Sequence, residues 1–185
     1  MKKKNSIWLV LLIAVGLTSC NQSPSLQGYY VEKLEDPSFL IVNIPIELNS
    51  LFNEDLTLKE KKVIESVGKL NLLFYRKKEG EDEEYKNELF KLNTILSQAR
   101  YQHLMDFKAF DKAKGSFLFE GEIDQVEEGI VFLSSEKMGF GVLRMIGTDI
   151  NPTQLMQLAK KIDTSKLENQ IKSSVGSFFK DEESL

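Results

Sequence analysis

Between residues 101 and 146 the apolar positions fall on a two-residue period with breaks. Phe117, Phe119 and Ile123 alternate with Leu118, Glu120 and Glu122. Ile130 to Leu133 is a short apolar run, and Phe140, Val142 and Ile146 alternate with Leu143 and Met145. Turn-like stretches at 111–115, 124–129 and 134–139 separate these segments. Such a period, broken this way, predicts four strands in an antiparallel meander. The mixed faces predict a sheet covered on one side and at least partly wet on the other.

Upstream, residues 70–75 (LNLLFY) are apolar apart from Asn71, which predicts a strand buried on both faces in mid-sheet. Phe39 to Asn43 reads as a further short strand, and Pro45 suits the first turn of a short helix through Phe52. Thr57 and Glu60 form a capping box. Val63, Ile64 and Val67 give the helix that follows one apolar face, and Gly68 stands where a helix-terminating glycine is expected. Tyr85, Leu89, Leu92, Leu96 and Ala99 recur at three- and four-residue spacing and predict a long helix over 85–100. The acids from Glu81 to Glu84 precede it, where the helix dipole favours them, so they are read as a helix start and not as a metal site.

Asn151 and Pro152 open a later helix as cap and first residue, with Leu155, Leu158, Ala159 and Ile162 as its inner stripe. Ser165 and Glu168 form a second capping box. Leu167, Ile171, Val175 and Phe178 continue at helical spacing, and Asp181 to Leu185 should fray. The pattern therefore predicts an α+β fold: an antiparallel-rich sheet of about five strands with helices mainly on one face. Strand 70–75 leads through the long helix to the next strand, which predicts a parallel pair joined by a right-handed crossover.

The start of the chain changes the picture. Lys2, Lys3 and Lys4 precede an apolar run from Ile7 to Leu17. A basic start and a short apolar core make a secretory signal, and 11 residues fall short of the roughly 20 that a spanning helix needs. The run closes on Leu17-Thr18-Ser19-Cys20, which resembles the lipobox of bacterial lipoproteins. That resemblance implies cleavage before Cys20 and lipidation of its thiol, which anchors the chain to a membrane. Cys20 is the single cysteine, so its modification leaves no thiol for disulfides, zinc or nucleophilic catalysis. The expected organisation is a signal peptide over 1–19, a lipidated cysteine and polar tether over 20–28, one α+β domain over 29–165, and a C-terminal amphipathic helix with a frayed tail over 166–185.

Charge narrows the partners. Removing residues 1–19 takes away three lysines and no acid, so 24 basic and 28 acidic residues become 21 and 28, a net charge of −7. No basic stripe is visible, which argues against nucleic acid.

Candidate chemistry is sparse. His103 is the single histidine, so histidine-rich metal sites are out, while carboxylate sites stay open, and any serine–histidine–acid triad would have to use it. Glu120 and Glu122 stand two apart on one strand, and paired carboxylates can hydrolyse glycosides. Gly139-Phe140-Gly141 lacks a third glycine and precedes a strand, so it is not a dinucleotide loop. No cofactor and no metal site are expected.

Three stretches together resemble a known family: VGKLNLLFYRK (67–77), YQHLMDFK (101–108) and FGVLRMIGTDINPTQLMQLAKKID (140–163). The order of elements between them agrees. They are similar to the bacterial lipoprotein family called domain of unknown function 4252, common in Bacteroidota. The likeness spans about residues 30–165 and is carried most strongly by Gly147 to Met156. It implies a lipoprotein and assigns no catalytic residue. The reading that follows is a lipid-anchored envelope protein, at the outer membrane and facing the periplasm, acting without catalysis as a protein-binding or sensing module. The alternative is a small envelope hydrolase or ligand-binding enzyme using Glu120 and Glu122 or His103.

Overall fold

Asn71, the one polar residue in its apolar run, meets its own kind: its side chain hydrogen-bonds Asn43 directly across the neighbouring strand. Asn71 is half-buried and donates to the exposed Asn43, which lets a polar residue enter an inner strand. In the computed structural model, residues 23–44, 48–108, 113–123, 125–163, 165–166 and 169 are described. Among them run, in order, α1 (Leu26–Glu32), β1 (Phe39–Ile44), a 3-10 turn (Leu48–Leu51), α2 (Leu58–Glu65), β2 (Val67–Arg76), α3 (Asp82–Leu96), β3 (Gln102–Lys108), β4 (Lys114–Glu122), β5 (Gln125–Ser135), β6 (Gly139–Ile150) and α4 (Pro152–Ala159).

The six strands form one sheet in the order β1-β2-β6-β5-β4-β3, with every neighbouring pair antiparallel. The fold is α+β, with six strands where the sequence predicts about five. The meander over β3 to β6 is present. The predicted parallel pair is not: three strands separate β2 from β3. The reason is length. A helix of 15 residues such as α3 spans about 22 Å, enough to cross the roughly 19 Å of four inter-strand spacings. It carries the chain to the far edge, and the meander then returns to β2.

Local signals mostly act as expected. Thr57 caps α2 and Glu60 reaches back to the Thr57 amide at 2.9 Å. Asn151 caps α4 and Pro152 is its first residue. Gly68 does not end α2, which stops at Glu65. It lies inside β2 as an extra residue, where the pairing shifts between Val67 and Lys69, the usual role of a glycine at a bulge. The acids Asp82, Glu83 and Glu84 are the first turn of α3, which begins three residues earlier than predicted and ends at Leu96. Residues 26–28, inside the expected tether, are helical, and Leu26 is fully buried. Residues 45–47, the signal segment and most of the C-terminal helix read from sequence lie outside the described residues.

Helices α1 and α3 cover one face of the sheet. Leu26, Tyr29 and Tyr30 of α1 and Tyr85, Leu92 and Ile95 of α3 pack on Leu73, Tyr75, Ile130, Phe140 and Val142. Tyr75 and Phe140 stack at 5.1 Å between ring centres. Burial, and after it the neighbouring acids, push the Tyr75 hydroxyl up to about 12, so it stays a neutral member of this core. On the other face α2, α4 and the 3-10 turn make a smaller layer from Leu51, Phe52, Val63, Ile64 and Leu158. The open part of that face is apolar, not polar as the strand pattern suggests.

Candidate functional site

Strand alternation puts Leu70, Leu72, Val131, Leu143 and Met145 opposite the residues of the main core. A sheet apolar on both faces needs a layer on each side. The second layer is short, and the space beside it is an open cavity of about 600 Å³. Val42 and Ile44 of β1 stand at one end, and Met105 and Phe107 of β3 at the other. Leu155 and Leu158 of α4 form a wall. The cavity therefore crosses all six strands, roughly 24 Å at the usual strand spacing. Lys160 is the one charged residue on its described wall.

The rim is held by polar contacts. Lys161 Nζ donates to Glu60 Oε1 at 2.7 Å, joining the end of α4 to the capping box of α2. Hydrogen bonds from Lys161 first, and from Thr57 next, hold the Glu60 carboxyl down to about 2. Ile162 bridges Phe52, the Asp163 amide donates to the Leu51 carbonyl at 2.9 Å, and Lys166 Nζ donates to the Phe52 carbonyl at 3.0 Å. The chain therefore reaches Lys166 against Leu51 and Phe52, both of which line the cavity.

The residues read from sequence as candidate chemistry lie elsewhere. His103 is exposed on the edge strand β3, and its Nε2 is 2.8 Å from Asp106 Oδ1. Ser116 Oγ donates to the same Asp106 oxygen at 2.7 Å. His103, then Ser116, hold the Asp106 carboxyl below its ordinary value. This is serine, histidine and acid in the wrong order. In a working triad the histidine stands between the other two and takes the serine proton. Here the acid stands between them, and the serine gains no base. Glu120 and Glu122 flank Gly121, at φ 106°, beside a shift of register. The two-residue alternation that would align their carboxylates is interrupted there. None of Glu120, Glu122 and His103 lines the cavity. Cys20 lies outside the described residues.

On the covered face the charges have a structural role that the sequence pattern does not expose. Glu88 of α3 is buried and accepts from Tyr29 Oη at 2.8 Å, Lys33 Nζ at 2.9 Å and Lys91 Nζ at 2.7 Å. Burial works to raise its carboxyl. The bonds from Lys91, Lys33 and Tyr29 outweigh it and hold the group below the usual range. Glu128 takes both Arg144 Nε and Nη2 at 2.7 Å, a bidentate pair, and Arg144 also bonds Gln27 of α1. These contacts fasten α1 to α3 and to the sheet.

Among the described residues no helix is long and apolar enough to cross a membrane. The family model described as a domain of unknown function (DUF4252) matches residues 29–158. No curated protein and no solved structure matches the chain.

Proposed function

The chain belongs to the domain of unknown function 4252 family, and from that premise we propose that it is a cell-envelope lipoprotein whose domain is a non-enzymatic binding module. The observation that carries the reading is the apolar cavity. Its length favours an elongated apolar segment of a protein partner over a compact small molecule, in the manner of a helix laid into a groove. Its described wall offers no acid–base pair and no nucleophile, which supports binding without chemistry.

The anchor is Cys20. Helix α1 starts at Leu26, so five residues, Asn21 to Ser25, separate it from the lipid, roughly 17 Å when extended. The domain is thereby held close to the bilayer. Asn21 follows the cysteine, and residues 21–28 hold no acid. Both support an outer-membrane position facing the periplasm. Cys20→Ala is expected to abolish labelling by radioactive fatty acid, because the chain has no other thiol. Label persisting on the variant overturns the anchor.

The binding reading is tested by purifying the tagged protein from detergent-solubilised membranes beside a Leu143→Glu variant. Leu143 lines the cavity and is only half-buried, so a carboxylate there spoils the apolar wall while the opposite core is left in place. A discrete protein captured by the wild type should be lost from the variant, with the circular dichroism of the two unchanged. Equal capture by both overturns the cavity as the binding surface.

A further inference from the structure

The cavity lies beside the point where the described chain ends. Lys166 is tied to the Phe52 carbonyl, and Phe52 and Ile162 line the cavity. Sixteen residues, 170–185, follow Asn169. In them Ile171, Val175 and Phe178 recur at helical spacing, with Phe179 beside the stripe. Before the fraying residues, 170–180 makes a helix of about 16 Å, short enough to lie within the roughly 24 Å over which the cavity crosses six strands. The apolar N-terminal run joins the described chain at its other end. It leads into α1, whose Leu26, Tyr29 and Tyr30 pack on the opposite face of the sheet. Length, exit point and apolar pattern thus single out one end of the chain.

We propose that residues 170–180 are the resident occupant of the apolar cavity, with Ile171, Val175, Phe178 and Phe179 turned into it. The tail completes the second layer that α2, α4 and the 3-10 turn leave short. It also means that a partner must displace the chain's own segment to bind. Only that last consequence rests on the proposed function. The occupancy itself rests on the fold.

Two reporters in the full chain test it. Trp8 and Cys20 are the single tryptophan and the single cysteine, so Trp8→Phe and Cys20→Ser clear the background for each. Phe178→Trp should give a tryptophan quenched by acrylamide several-fold less than in the same chain unfolded. Adding Leu143→Glu should remove that protection. In the second reporter, Phe178→Cys should form a disulfide with Val131→Cys on the cavity wall. It should not do so with Lys137→Cys in the β5–β6 turn, which is exposed and distant. A tryptophan as open as in the unfolded chain, protection indifferent to Leu143→Glu, or protection that appears only when lipid vesicles are added would each overturn the proposal. Partner capture that is sensitive to Leu143→Glu while the tail stays open overturns this inference alone. A protected tail with capture indifferent to Leu143→Glu overturns the proposed function alone.

Discussion

Glu88→Ala is expected to lower the unfolding free energy by roughly 3 kcal/mol, the lower end of the cost of breaking a buried ion pair by removing one partner. The loss comes from what remains. Lys33 is buried, and its charge is compensated chiefly by Glu88 at 2.9 Å. Glu32 at 3.4 Å and Asp36 at 3.7 Å stay behind and moderate the cost, which is why the lower end applies. The Tyr29 hydroxyl also loses its acceptor. The double variant Lys33→Met with Glu88→Leu should recover most of the loss, because a buried pair exchanged for apolar groups of similar volume is often neutral. Urea unfolding of the three proteins checks this. A Glu88→Ala midpoint equal to the wild type refutes it.

The pH dependence has two sides. The Glu88 carboxyl is held below its ordinary value, so its contribution is present above the unfolded carboxylate range, near 4.3, and fades as pH falls through the lower folded value. Burial works to lower the Lys33 ammonium, and Glu88 outweighs it and raises the group. That contribution is present below about 10.4 and is lost as pH rises through the higher folded value. The gap between wild type and Glu88→Ala should therefore be widest between these limits and narrow in acid.

This network also marks where sequence reading stops. The Thr57–Glu60 capping box and the Asn-Pro helix start are legible because donor and acceptor lie within three residues of each other. The meander is legible because its turns are short and its period is two. Glu88 looks like any solvated position of an acidic helix until Lys33, 55 residues away in sequence, is brought beneath it. Helix α1 hides in a polar stretch because it has seven residues, and its stability comes from Leu26 and the two tyrosines in the core, not from propensity. The cavity was the least legible feature. Leu70, Leu72, Val131 and Leu143 read as general strand apolarity, and only the sheet order shows that they share a face with so short a covering layer.

Gly147→Ala carries the other large expected effect, a loss of roughly 2–4 kcal/mol through backbone strain and local repacking. Gly147 pairs with Val67 beside the Gly68 bulge. A Cβ at Gly147 would overlap the Ser66 carbonyl oxygen and come within 2.9 Å of the Ser66 carbonyl carbon. Both are backbone atoms, so no side-chain rotation relieves the clash. The same Ser66 oxygen accepts the Thr148 amide at 3.0 Å, which fixes β6 to the end of α2 just before Asn151 caps α4. Pushing the strands apart there loosens the wall that α4 gives the cavity as well as the sheet. Two neighbours serve as controls. A Cβ at Gly141 would meet Phe74 Cδ2 at 3.5 Å, ordinary contact, so Gly141→Ala should cost far less. Asp149 has φ 54°, a region that glycine adopts without strain. Asp149→Gly therefore gains in the folded state what it loses in unfolded-chain entropy, and should stay within about 1 kcal/mol of the wild type. Thermal unfolding of the three variants should rank Gly147→Ala lowest by a clear margin, and equal midpoints for Gly147→Ala and Gly141→Ala would show that the Ser66 carbonyl can move aside.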